Sequence, residues 1–283
     1  MQTIDLGGHS GCRILLCDDD NSVYVRKISK STEYNDRLRI QKDKQCNFIS
    51  QTIKTPTVLG EGYTEDEMYY FDMEYVQGIT LSEYIKNVRI SDVRKIVETL
   101  IIELSRSKRL SDVSTLEINN RFATKINDLK RILLGKNKVT DSALDILQNH
   151  DWSAFENTTC HGDLTLENII VKNGQLYLID FLDSFYDSWI LDASTLMQDV
   201  QSMWSYRFEN ELEINTVLRL ILFRDILMDN MKMEHPEIYY EVYFALLLKL
   251  IRIFPYTKDE ETYNFLVKKT DSLIHIINKG GWK

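Results

Sequence analysis

The sequence predicts an α+β protein in two lobes, a small one of antiparallel strands with one helix and a larger, mainly helical one. Three observations carry this. In the first third, short apolar segments alternate with glycine and Asp/Asn turns, the pattern of a meander. Beyond residue 80, apolar residues recur at three- and four-residue intervals over long stretches, the pattern of packed helices. The helical run is interrupted once, by two apolar strands flanking Asn173-Gly174, the strongest short-range signal for a two-residue hairpin turn.

Composition bounds the class. The 283 residues are 43% hydrophobic and 27% charged, which suits a globular chain with a sizeable buried core. A formal charge of −9 argues against nucleic acid or an anionic membrane as the main partner and tilts slightly toward cationic ligands. Four cysteines (Cys12, Cys17, Cys46, Cys160) form no CxxC pair, so neither a zinc site nor a disulfide framework is indicated. The opening MQTIDLGGHS has no basic and apolar leader pattern, and no apolar run approaches about 18 residues. The expectation is a reduced, cytoplasmic protein without membrane insertion.

The elements follow in order. Residues 1–30 read as strand, glycine turn, strand, polar turn, strand. In the first turn, Gly8 and Gly11 let the backbone approach phosphate oxygens, and Ser10 adds a donor. The third strand, Ser22 to Ile28, ends in two cations, Arg26 and Lys27, on opposite faces. Residues 33–52 read as a helix with apolar Leu38, Phe48 and Ile49; its inward face carries Gln41, with Gln45 one turn on and Asp43 roughly opposite. Strands follow from Thr57 and over Tyr69–Val76, closed by Gln77-Gly78. Four helices come next: one capped by Thr80 or Ser82, one from Ser91-Asp92 with the stripe Ile96, Leu100, Ile101, Leu104, one over Phe122–Leu133 ended by Gly135, and one capped by Asp141. Helices over 218–231, 238–254 and 263–277 complete the chain.

The chemistry sits in 160–183, CHGDLTLENIIVKNGQLYLIDFLD. A His161-x-Asp163 turn precedes Asn168; the hairpin then ends in Asp180, with Asp183 just beyond. The hairpin returns its far end to the turn, so Asp163, Asn168 and Asp180 can meet. Phosphoryl transfer needs this trio: one Asp accepts the proton of an attacking hydroxyl, while an Asn oxygen and a second Asp hold Mg²⁺ on the phosphates.

Asp-x4-Asn followed by a strand-borne Asp is the kinase order, here as H-G-D and I-D-F-L-D rather than H-R-D and D-F-G. In this form it resembles the aminoglycoside phosphotransferase and choline kinase-like family of small-molecule kinases, over about Gly7 to Asp192. The resemblance implies a protein-kinase-like fold, with an amino-terminal nucleotide-binding lobe of 1–76 and a catalytic, acceptor-binding lobe of 77–283. It implies ATP and Mg²⁺ as cofactors, and a small molecule with a hydroxyl group as acceptor. Asp163 becomes the base or orienting carboxylate, Asn168 and Asp180 the metal ligands, and Asp183 a second metal or water ligand. The cation on the α- and β-phosphates is Lys27, which shares a face with Val25 over the adenine, or its rival Arg26. The Glu74 carbonyl and Val76 amide fall where a hinge pairs with adenine.

Two supporting roles are implied. His161 holds its loop by hydrogen bonds rather than moving protons, and Asp192 caps a helix and braces the loop. The late helices supply aromatics such as Trp204 and Tyr240 and acids such as Glu209 and Asp225 to an acceptor pocket. One departure stands out: kinases use a Glu on the first helix to orient the strand Lys, and Gln41 stands there instead. Gln41 can hydrogen-bond the Lys without neutralising it. That departure keeps a catalytically weak, pseudokinase-like nucleotide-binding module as an alternative. A protein kinase is a further one, disfavoured by the missing D-F-G and A-P-E motifs and the short span from Asp180 to Asp192.

Overall fold

The computed structural model describes residues 2–7, 12–19 and 22–280. Its contacts divide the chain into two compact units, one of residues 1–81, 161–163 and 167–184, the other of 82–160, 164–166 and 185–283.

Among the described residues, the strands all belong to the first unit. β1 (Gln2–Asp5), β2 (Cys12–Asp19), β3 (Ser22–Ser29), β5 (Val58–Tyr63) and β6 (Tyr69–Glu74) form an antiparallel sheet in the order β1-β2-β3-β6-β5. Alternation along β6 buries Tyr69, Phe71 and Met73, which pack with Cys12, Val25 and Leu38 into one core. Leu38 comes from α1 (Asn35–Asn47), whose buried residues are Leu38, Gln41 and Gln45, as the sequence predicts. The helix does not reach residue 52, however. Phe48 is extended, Ile49 is exposed, and Ser50 Oγ accepts from the amide of Ile53 at 2.8 Å, a side-chain turn that competes with helix.

That turn starts a strand the sequence reading did not contain, β4 (Ile53–Lys54). It lies parallel to β9 (Gln175–Leu178), at the edge of a second sheet of order β4-β9-β8-β7, with β7 at Ile79–Thr80 and β8 at Ile169–Lys172. The β8–β9 turn is Asn173-Gly174, both with positive φ (53° and 79°), as a two-residue turn of the primed type requires.

The second unit is helical: α2 (Leu81–Asn87, beginning on the last residue of the first unit), α3 (Ile90–Ser105), α4 (Thr115–Leu133), α5 (Lys138–Gln148), α6 (Trp189–Val200), α7 (Ile214–Glu234), α8 (Glu241–Ile253) and α9 (Glu260–Lys279). All twelve residues of α6 are buried. α3 turns its face relative to the predicted stripe, burying Val93, Val97, Leu100 and Leu104. Capping also differs. Asn137, not Asp141, caps α5 by accepting from the Val139 amide, while Asp141 accepts from the amide of Gly135. Ser188 is at the N-cap position of α6, so Asp192 lies inside its first turn rather than capping it. Among the described residues, no helix is long and apolar enough to cross a membrane.

Candidate active site

Residues 161–163 and 167–184 fold with the strands, and two backbone bonds and two bonds to the His161 ring knot them together. The amide of Leu182 donates to the His161 carbonyl at 3.0 Å, and that of Ile179 to the Asn168 carbonyl at 3.0 Å. The ring bonds fix the histidine: the Asp163 amide donates to His161 Nδ1 at 3.2 Å, while Nε2 donates to the Ile179 carbonyl at 2.8 Å. One ring nitrogen accepts and the other donates, so the imidazole is neutral with its proton on Nε2. Burial pushes its pKa down to about 3, against the bond to Ile179, and Phe181 packs at 4.3 Å. The ring is a brace, as expected for it.

Gly162 cannot be replaced without movement. Its φ is +92°, and a Cβ there would press on the Leu182 carbonyl oxygen and come within 2.8 Å of Ser184 Oγ. The H-G-D form thus follows from how closely the 182–184 backbone crosses the turn.

Asn168 ends a 3₁₀ turn, Leu166–Asn168, that leads into β8. Its Nδ2 donates to the Asp163 carbonyl at 2.8 Å and to Asp163 Oδ2 at 3.3 Å. Since both partners are oxygens, the amide is oriented with Oδ1 on its other side. Asp180 lies two residues past β9 with φ +66°, a left-handed conformation rare for a side-chain-bearing residue. Its carboxylate pairs with Lys27 Nζ. The Lys27 side chain is 3% exposed and that of Asp180 30%. Burial alone would neutralise both; the Asp180 charge more than offsets it at Lys27, whose pKa ends above its usual value, and Lys27 does the reverse for Asp180, whose pKa ends below. Of the two cations ending β3, Lys27 is the one brought to Asp180. Arg26 points away, binding both oxygens of Asp72 at 2.6 and 2.7 Å and stacking on Tyr70.

Asp183 is engaged elsewhere. Arg37 on α1 reaches its two oxygens at 2.9 and 3.1 Å. Gln41 is likewise turned to this segment: its Nε2 donates to Tyr34 Oη at 3.0 Å and lies 3.5 Å from Asp183 Oδ1, while its buried Oε1 has no partner. Lys44, one turn further, donates to the Leu182 carbonyl at 2.9 Å. Sequence reasoning missed Arg37 and Lys44; the signal was present, since 37, 41 and 44 share one helix face.

Near the expected hinge, the Glu74 amide donates to the Thr57 carbonyl at 2.8 Å, and Val76 is buried. Gly8, Ser10 and Gly11 lie outside the described residues. An open cavity of about 490 Å³ is bordered by Phe48, Lys54, Thr57, Glu74 and Tyr177, among others, but not by Lys27, Asp163, Asn168 or Asp180.

Asn168 and Asp180 offer oxygen donors of the hard type that Mg²⁺ takes, and they fit that ion. Among the described residues, no group of three or more His, Cys, Asp or Glu side chains forms a self-sufficient cation site. Mg²⁺ commonly relies on one or two protein ligands plus substrate phosphates, so such a group is not required.

An antiparallel sheet with one helix, followed by a helical unit and with a His-Gly-Asp turn, an Asn and an Asp just past the hairpin, defines a kinase-like phosphotransferase. The sequence profile of the phosphotransferase enzyme family matches residues 7–215, more than half of the chain. The chain belongs to that family, whose members are small-molecule kinases acting on hydroxyl groups. No curated protein matches it in sequence. Among solved structures it is similar to aminoglycoside phosphotransferase APH(4)-Ia (TM-score 0.65, 14% identity, covering 97% of this chain and 93% of that one). A thermostable mutant of that enzyme in ternary complex with ADP and hygromycin B matches with TM-score 0.64, 15% identity and coverage of 97% and 93%. Choline kinase LicA from Streptococcus pneumoniae matches with TM-score 0.53, 17% identity and coverage of 96% and 94%. At these identities the likeness is one of fold.

Proposed function

We propose that this protein transfers the γ-phosphoryl group of ATP to a hydroxyl of a small molecule, in the cytoplasm and with Mg²⁺ as cofactor. The observation that carries the reading is a pair of side-chain contacts within one unit: Asn168 bonded to Asp163, and Lys27 paired with Asp180. Asp163 would orient the acceptor hydroxyl and accept its proton. Lys27, held protonated, would exchange its carboxylate partner for phosphate oxygens when nucleotide enters. Asn168, through Oδ1, and Asp180, held ionised, would carry the metal. Bound Mg²⁺ would neutralise charge on the phosphates during transfer. The protein's contribution is then positioning and charge, with the His161 brace and the Gly162 crossing keeping Asp163 in register. Glu74 and Val76, by their backbone, and the turn with Gly8, Ser10 and Gly11 would complete the nucleotide site.

The similar structures suggest acceptors. One holds hygromycin B, one is a choline kinase, and one is a putative fructosamine-3-kinase from Haemophilus somnus 129PT. Amino sugars, choline or other amino alcohols, and sugars or glycan precursors form the panel. With these acceptors, ATP and Mg²⁺, product formation is expected for the wild type, and Asp163→Ala should lower turnover by roughly 10²–10⁴. Equal ATP consumption by both proteins would sink the proposal.

A second reading, a nucleotide-binding module of little activity, draws on the buried face of α1, which carries no carboxylate. Nucleotide binding with no turnover across the panel would favour it.

A further inference from the structure

The Arg37, Gln41 and Lys44 positions lie at i, i+4 and i+7, one face of α1, and all three side chains meet the segment 182–183. Arg37 grips both oxygens of Asp183, the geometry that makes an Arg–carboxylate pair specific in direction as well as in charge. Tyr34 supports the grip from the turn before the helix: its ring lies 5.1 Å from the Arg37 guanidinium, and its hydroxyl accepts from Gln41. The Asp183 side chain is 23% exposed and that of Arg37 56%, so the acid is partly covered while the cation reaches it from the surface. Two residues earlier in this loop than Leu182, Asp180 sits in a left-handed backbone conformation that its surroundings must impose.

We infer that Arg37 and Asp183 form the pair that positions this loop, with the helix supplying the cation and the loop the acid. Asp183 is then a positioning residue that holds Asp180 in place, rather than a ligand of the metal. The pair connects α1 to the site without an acid on the helix, and it leaves Lys27 to Asp180. Gln41 follows from the same arrangement: a carboxylate at that position would face Asp183, whereas an amide donates toward it.

This inference rests on the phosphotransfer reading only for its consequence in catalysis, so its first test uses neither nucleotide nor metal. Amide hydrogen exchange of the free protein should speed at residues 181–184 in Arg37→Ala and in Asp183→Ala, by about tenfold or more, while exchange in α6 stays as in the wild type. The double variant should exchange no faster than either single one, the mark of two groups acting as a unit. The reversed pair, Arg37→Asp with Asp183→Arg, should recover part of the protection, which a metal ligand could not do. In nucleotide titrations, ADP affinity with Mg²⁺ should fall by the same factor, about tenfold or less, in both single variants. Unchanged exchange in Arg37→Ala overturns the inference. So does a loss of Mg²⁺-dependent ADP affinity in Asp183→Ala that exceeds the loss in Arg37→Ala more than about tenfold, since a metal ligand behaves that way. Failure of phosphotransfer in the wild type, with the exchange result intact, would remove the catalytic reading and leave the positioning pair.

Discussion

Helices α1 and α6 are of similar length and are held in opposite ways. Every residue of α6 is buried, including Leu196 and Met197 at 0% exposure, and Asp199 among its polar side chains is bonded inward, accepting from the Leu166 amide at 2.6 Å and from Ser205. α1 buries one leucine and two glutamines. It is fastened by polar contacts: Gln45 to the Pro56 carbonyl at 2.8 Å, Lys44 to Leu182, Arg37 to Asp183. Apolar burial has no preferred direction and tolerates no void, whereas polar contacts are directional, exchangeable and responsive to charge. α6 is therefore held by apolar packing, α1 by directional polar contacts that respond to charge.

Mutations should separate the two. Leu196→Ala in α6 leaves a cavity in a fully buried helix and should cost about 2–5 kcal/mol in chemical denaturation. Gly162→Ala forces a Cβ against the Leu182 carbonyl at positive φ; we expect about 1–3 kcal/mol of destabilisation and, in phosphotransfer assays, a larger proportional loss of turnover than of stability. On α1, Gln41→Glu restores the acid common in kinases at this point, yet places it beside Asp183. Melting temperature at pH 7 should fall, with a cost of about 1–2 kcal/mol, and partly recover toward pH 5 as the added carboxyl takes up a proton. Gln41→Met, which removes a buried amide whose Oε1 has no partner, should change stability by less than about 1 kcal/mol. A stabilising Gln41→Glu would show that α1 tolerates the usual polarity after all.

The histidine gives a pH test. His161 is neutral in the folded protein and its pKa is lowered to about 3, so the unfolded chain binds a proton that the folded one refuses. Its contribution to stability is present above the unfolded value of about 6.5 and is lost as pH falls toward 3, with a slope approaching 1.4 kcal/mol per pH unit. Over pH 6.5 to 5, above the range where most carboxylates titrate, wild type should lose melting temperature faster than His161→Gln. Parallel curves would mean that the ring is not held neutral.

What the sequence disclosed and what it hid divide along the same physical line. Local rules made the hairpin readable: Asn173-Gly174 demands positive φ at both positions, and the structure has it. Periodicity made the buried face of α1 readable down to Gln41 and Gln45. The two-residue strand β4 was hidden, because its reason for existing is a partner some 120 residues away, with Ile53 paired to Leu176. The orientation of α1 was hidden for a similar cause. The acid absent from position 41 has a counterpart in Asp183, which Arg37 meets across 146 positions of sequence. The face shared with Val25 favoured Lys27 over its rival Arg26, but the partners that separate them, Asp180 and Asp72, lie far along the chain.

The split of the first unit between residues 1–81 and 161–184 has a consequence for biosynthesis. When β4 and β7 leave the ribosome, the hairpin that completes their sheet is still unmade: β9 ends at Leu178, almost a hundred residues later. At roughly 5–20 residues per second, that is a delay on the order of 5–20 s in which the edges of β4 and β7 have no neighbour. The helices of 82–160 are synthesised during that interval. A nascent chain stalled before Ile169 should therefore be easily cleaved by protease near Ile53 and Ile79, and become resistant there once Leu178 has emerged.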